Sequence, residues 1–233
     1  MIVQSDILVL FIAYVYIFFI IILAILLQKY RGVSSKMTRH IIHIFAGNSI
    51  LLLPLFSTWW YPFTIPVCLA FIVALGFTFK VGDFLNIMVD NSYYSYLHRL
   101  GPLYYIISIG LLVTFTWNFK IVGMAAVLIM AWGDGSAAAL TSKIKHRHKF
   151  PFSDKTVEGS LIMFLSSILG ICIAYLVSSL TGSFQIKLMY AVTFILTGAL
   201  VGTVTEALSI GPLKPFDNFT VPILSALALS LLY

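Results

Sequence analysis

Four short polar segments carry most of the side chains in this sequence that could do chemistry. The first, Trp132-Gly133-Asp134-Gly135-Ser136, sets one carboxylate between two glycines inside a long apolar run. About seven residues from the end of a helix, that carboxylate would lie roughly 10 Å along it, at 1.5 Å per residue. In a bilayer such a charge costs at least about 2.5–3.5 kcal/mol unless it faces a cavity or a cation, so Asp134 is expected to be functional. Gly133 and Gly135 let another backbone or a ligand come close and loosen the helix there.

The second segment runs from Phe152 to Ser160. Ser153 or Asp154 is placed to cap the helix that follows, and Glu158 in its first turn suits the positive end of the dipole. Lys155 has no such account, because a cation at a helix N-terminus is disfavoured unless an anion lies between them. Unpaired N–H groups plus a lysine are what a phosphate needs. The chain contains no Gly-x-x-x-x-Gly-Lys-[Ser/Thr], so a phosphate site here would not be a P-loop. The third segment puts Glu206 near the end of one apolar run, and Lys214, Asp217 and Asn218 at the start of the next. The fourth, Lys36-x-x-Arg39-His40-x-x-His43 followed by Gly47-Asn48, places two histidines on one helix face. That pair would suit a metal or a phosphate, although without a third ligand it is a weak zinc signal.

Positioning these groups falls to elements with an unusual composition. Of 233 residues, 61% are apolar and 9% charged, and the mean hydropathy is +1.03. A soluble domain carries about 25% charged residues, and neither a disordered chain nor a disulfide scaffold carries this much apolar side chain. The solvent must be the bilayer. The runs are continuously apolar rather than alternating, which argues against a β-barrel and for an all-α polytopic transmembrane bundle. Spans are expected at roughly 7–27, 40–56, 62–79, 101–117, 121–141, 159–180, 187–208 and 217–233, seven or eight in all, forming one integral membrane domain over 1–233 with no soluble domain. The first run has Asp6 before it and Lys29 and Arg31 after it, and reads as a retained span rather than a signal peptide. Cys68 and Cys172 lie inside apolar runs and read as small buried hydrophobes. Trp59-Trp60-Tyr61 fits an interfacial belt.

Alternate loops hold twelve of the fourteen basic residues, leaving Lys120 and Lys187 for the other side. By the positive-inside rule this places both termini outside and the basic loops in the cytoplasm. Seven of the eight acidic residues, all but Asp6, lie on or near that inner side, where topology alone would not hold them. The four segments therefore share one depth, at the cytoplasmic boundary. They supply carboxylates Asp134, Glu158, Glu206 and Asp217 and cations Lys36, Lys155 and Lys214. Acids beside lysines suit Mg²⁺ bound to a nucleoside triphosphate, and hydrocarbon lies below. A reaction joining a soluble phosphate donor to a lipid headgroup is the expectation. The basic loop around Lys143–Lys149, with His146 and His148, reads first as a solvated positive-inside signal.

Taken together, Trp-Gly-Asp-Gly-Ser-Ala at 132–137, Asp-Lys-Thr-Val-Glu-Gly-Ser at 154–160, Glu-Ala-Leu-Ser at 206–209 and Asp-Asn-Phe-Thr-Val-Pro at 217–222 resemble, in order and spacing, the polyprenol kinase family. That family includes dolichol kinase, phytol kinase and the CTP-dependent diacylglycerol kinase of fungi. Arg39-His40-x-x-His43 resembles its early Lys/Arg-x-x-His element, so the likeness spans about residues 36–222. The chain departs from the pattern at Thr141, where a glycine is usual.

The resemblance implies CTP-dependent phosphorylation of a membrane lipid alcohol at the cytoplasmic face, with Mg²⁺ or another divalent cation. It implies catalytic roles for Asp134, Lys155 and Glu158, and metal contacts from Asp134, Glu158, Glu206 and Asp217. Nucleotide or phosphate contacts would come from Lys36, His40, His43, Gly133, Gly135, Ser136, Lys155, Thr156 and Lys214. The expected partners are the lipid alcohol, the nucleotide and the bilayer, with no nucleic acid. Two other functions use the same intramembrane acids: a lipid cytidylyltransferase, which would transfer CMP from CTP, and an ion or small-anion transporter with an acid relay.

Overall fold

The computed structural model describes residues 2–79, 100–183 and 188–233. Lys80, Asp83, Asp90, Arg99 and Lys187, which entered the charge pattern above, lie outside the described residues. Apart from one antiparallel bridge between Lys149 and Thr156, the described residues form helices, turns and loops.

Helix α1 (Ile2–Arg31) is apolar all round and leads through a short link into α2 (Ser35–Gly47), whose first turn is capped by Ser34 accepting the Met37 N–H at 3.3 Å. The chain then tightens into a 3₁₀ segment, Asn48–Leu55, that contains Pro54. Helices α3 (Trp60–Phe79) and α4 (Gly101–Phe115) follow, the latter with Pro102 in its first turn, where a missing N–H is tolerated. Helix α5 (Lys120–Leu128) continues through a π-helical turn, Ile129–Asp134, into α6 (Gly135–Thr141). Helices α7 (Val157–Leu180), α8 (Leu188–Ala207) and α9 (Asp217–Ser230) complete the bundle, with a 3₁₀ turn at Gly211–Phe216 before α9.

Every side chain from Ile121 to Ala131 is buried, so α5 and the π-helical turn form the axis of the fold. Helix α7 packs along α5, the π-helical turn and α6; α8 and α9 pack on each other, α9 also meets α4, and α2 reaches α6. The outward faces are apolar as well: Leu161, Leu165, Leu169 and Leu176 on α7 and Phe11, Phe19 and Ile22 on α1 are exposed. A helix apolar on every face suits a hydrocarbon solvent. Cys68 and Cys172 are on these outer faces, exposed rather than buried, because the apolar runs that contain them point away from the core.

Among the described residues, a helix overlaps each of the eight apolar runs. Among the described residues, four elements are long and apolar enough to cross a membrane: Ser5–Arg31, Trp117–Thr141, Val157–Leu180 and Tyr190–Ala207. The apolar stretches Trp60–Gly76 and Gly101–Phe115 are shorter. The expected 40–56 span divides into a 13-residue α-helix and the 3₁₀ segment, and α9 has 14 residues. At the end of the bundle away from the polar segments, buried Asp6 accepts the Ser57 N–H (2.8 Å) and the Thr58 hydroxyl (3.0 Å). Lys120 donates to the neighbouring Phe56 carbonyl at 2.8 Å.

Candidate active site

Asp134 ends the π-helical turn of the central element. Such turns widen the helix locally and are frequent at functional sites. The two flanking glycines are there because other helices come too close for a side chain. A Cβ on Gly133 would stand 2.4 Å from the Ser167 hydroxyl of α7, and one on Gly135 would stand 2.5 Å from Ile44 and 3.0 Å from the His43 ring of α2. Asp134 is thus clamped between α7 and α2.

Helix α2 is tied to the same turn by three contacts. The Nε2–H of His43 donates to the Met130 carbonyl at 3.2 Å, and that nitrogen lies 3.8 Å from Oδ2 of Asp134. Asn48 accepts the Trp132 indole N–H at 2.7 Å. Tyr105 of α4 donates to the His43 carbonyl at 2.8 Å and packs its ring 4.3 Å from the imidazole. With its Nε2–H committed to that carbonyl, His43 fixes α2 against the turn and sets its ring beside Asp134.

Lys155 arrives from a tight hairpin. Phe150 N–H donates to the Lys155 carbonyl (3.1 Å), Val157 N–H to the His148 carbonyl (2.9 Å), and Lys155 N–H to the Ser153 hydroxyl (3.2 Å). Held this way, its ammonium forms an ion pair with Glu206, buried at the end of α8, and lies 3.8 Å from Oδ2 of Asp217 at the start of α9. Burial opposes the charge on Lys155, but Glu206, Asp134 and Asp217 together outweigh it and hold the ammonium above the ordinary lysine range. Three carboxylates face one ammonium, so the centre carries room for further positive charge.

Two cavities meet at Asp134. One, of about 280 Å³, is an apolar cleft walled by α1 and α3 residues such as Phe18 and Ile72, with Arg39, His40, His43, Asp134 and Asn218 among its polar lining. The other, of about 190 Å³, is polar and holds Lys155, Arg147, Glu206, Thr141 and Ser160. Asp134 and Ala138 line both. The Thr141 and Ser160 hydroxyls are buried with no hydrogen-bond partner among the described residues. Donors of that kind suit the oxygens of a phosphate.

The structure therefore brings together Asp134, Lys155, Glu206 and Asp217, with His43 alongside. Glu158 is held apart by His148, whose Nδ1 lies 2.6 Å from Oε1 and whose N–H donates to the same carboxylate. Lys214 pairs with the exposed Asp154 at 3.2 Å. Thr156, not Ser153 or Asp154, caps α7: its hydroxyl accepts the Gly159 N–H at 3.2 Å, because the bridge to Lys149 delays the helix by two residues. Lys36 is exposed on α2, and Ser136 is half-buried on α6. Among the described residues, no group of three or more His, Cys, Asp or Glu stands ready to hold a metal. Arg147, Thr141 and Ser160 are not marked as site residues by the sequence: they come from the basic loop, the end of α6 and the start of α7, and nothing in their spacing shows that they face one another.

No family model matches the chain, and no solved structure matches it. Among curated proteins it is 31% identical over 224 residues to a phytol kinase of Synechocystis, covering 89% of this chain and 84% of that protein. It is 26% identical over 210 residues to phytol kinase 1, chloroplastic, of Arabidopsis thaliana, covering 87% of this chain and 68% of that one. A probable phytol kinase of Triticum aestivum is 26% identical over 216 residues, covering 89% and 71%.

Proposed function

The chain belongs to the polyprenol and phytol kinase family, and we propose that it phosphorylates a membrane lipid alcohol of isoprenoid type with a nucleoside triphosphate. The observation that carries this reading is the meeting of an apolar cleft and a polar pocket at one carboxylate, Asp134. An aliphatic chain lies in the cleft with its hydroxyl at Asp134. The phosphates lie across it, among Lys155, Arg147 and the unpaired hydroxyls of Thr141 and Ser160.

Phosphoryl transfer asks a protein for positioning and charge neutralisation more than covalent chemistry. Lys155, kept protonated by its three carboxylates, neutralises charge on the phosphoryl oxygens. Asp134 orients the attacking hydroxyl and takes its proton, while His43, bonded to the Met130 carbonyl, steadies the turn that carries it. A divalent cation fits the excess of carboxylate over ammonium; Mg²⁺ characteristically takes one or two carboxylates and completes its shell with phosphates and water. One or two of Asp134, Glu206 and Asp217 would hold it together with the phosphates, and it would supply further neutralisation of their charge. CTP as donor follows from the family resemblance. Eight membrane crossings, outside termini and a cytoplasmic site follow from the charge distribution.

The test is purified protein in lipid or detergent with phytol, geranylgeraniol, dolichol and diacylglycerol, each against γ-labelled CTP, ATP, GTP and UTP and against α-labelled CTP. Label reaching an isoprenoid alcohol supports the reading. Label reaching lipid only from the α position of CTP would identify a cytidylyltransferase instead, and no transfer from any nucleotide would refute a kinase.

A further inference from the structure

The apolar cleft ends on polar atoms that the protein leaves unsatisfied. Oδ1 of Asn218 and Nε2 of His40 are buried and have no hydrogen-bond partner among the described residues, and both residues line the cleft. Folded proteins pair the large majority of such atoms, because an orphan costs about 1–3 kcal/mol. Two orphans among the polar lining of a mainly apolar cavity mark the place where the polar end of a ligand sits.

Asn218 is the better defined of the two. Its N–H donates to Oδ1 of Asp217 at 2.8 Å, and its carbonyl accepts the Ser108 hydroxyl of α4 at 2.9 Å, so its backbone is fixed on both sides. Only its side-chain amide is left to serve the cleft. An amide oxygen accepts and never donates, so the group that meets Oδ1 must carry an O–H or N–H. Through Asp217, which faces Lys155, this position also adjoins the carboxylate centre.

We infer that Asn218 is the specificity residue for the lipid: before nucleotide binds, its Oδ1 accepts the hydrogen bond of the free hydroxyl, which turns to Asp134 for transfer, and the cleft thereby selects an alcohol over an ether or ester of the same chain. This rests on the assignment of the cleft to the lipid substrate. A site built to accept from a hydroxyl rejects an analogue that lacks the proton, because the acceptor then stays buried and unpaired.

Binding of phytol and of phytyl methyl ether to the full-length protein in detergent, without nucleotide, tests the inference. Wild type is expected to bind phytol roughly ten-fold or more tightly than the ether. Asn218→Leu is expected to lose that preference while keeping its affinity for nucleotide, which shows that it is folded. Equal binding of alcohol and ether by wild type, or a preference that survives in Asn218→Leu, would overturn it. The wild-type comparison decides even where the variant does not fold. Kinase turnover is scored separately, so a protein that discriminates the alcohol yet transfers no phosphate would refute the proposed reaction and leave the role of Asn218 standing.

Discussion

The imidazole of His43 stands between the Met130 carbonyl and the Asp134 carboxylate, 3.2 Å from one and 3.8 Å from the other, and so ties α2 to the π-helical turn in the centre of the bundle. Asp134→Asn keeps the shape and removes the charge. Phosphoryl transfer to a lipid alcohol should fall by at least about a hundred-fold, with an unfolding midpoint close to that of wild type. His43→Phe preserves the ring contact with Tyr105 and removes the N–H; a loss of roughly ten-fold in kcat with little change in nucleotide KM is expected. Full activity in Asp134→Asn would remove that residue from the mechanism.

Lys155 separates a stability effect from a functional one. Replacing it by Met leaves Glu206 buried without its counter-charge, a loss of about 3 kcal/mol by the usual cost of breaking a buried pair. The double variant Lys155→Met with Glu206→Gln should recover part of that stability, because Glu206 is then no longer an unpaired buried charge, while Asp134 and Asp217 still lack the ammonium. It should not recover activity, since the phosphates still lack their ammonium. A thermal-unfolding series run beside the transfer assay checks both halves, and recovery of activity in the double variant would count against a phosphate contact from Lys155.

Gly135 makes a prediction about geometry alone. A Val there would drive a side chain into Ile44 and the His43 ring, where a Cβ already finds atoms at 2.5 and 3.0 Å. Overpacking of this kind typically costs about 1–3 kcal/mol. Because the displaced group is His43, activity should fall further than stability. Gly182→Ala, a change at a loop glycine whose Cβ would meet nothing within 4 Å, sits at a positive φ and should cost stability with the transfer rate unchanged.

Those glycines show what could be read from the sequence and what could not. Helix positions followed from continuous hydropathy, and Asp134, Lys155, Glu206 and Asp217 stood out because ionisable groups beside apolar runs need a reason. Their meeting in one cluster depends on how α7, α8 and α9 pack around the central element, which no local pattern encodes. Glu158 looked equivalent to the other acids, yet the hairpin from Lys149 to Thr156 gives it to His148. The cap moved to Thr156 for the same reason. The π-helical turn had only the two glycines as a hint, and the orphan atoms of Thr141, Ser160 and Asn218 are defined by burial, which a hydroxyl or an amide does not announce. Span lengths were legible only where the chain stays α-helical; at Asn48–Leu55 the 3₁₀ winding was not foreseen.

The cleft makes the last prediction, on chain length. Ala46 of α2 lines it, facing a cavity of about 280 Å³ that Phe18, Leu69 and Ile72 help to wall. Ala46→Trp fills part of that space with an indole and leaves the polar pocket, which Ala46 does not line, as it was. A long isoprenoid alcohol should then show a KM raised by about ten-fold or more, since each CH₂ kept from an apolar site costs about 0.8 kcal/mol. A short prenol whose tail ends before the obstruction should be affected much less, and the nucleotide KM should not move. Parallel kinetics with geranylgeraniol and a five-carbon prenol test this, and equal losses for both alcohols would place the lipid chain somewhere other than this cleft.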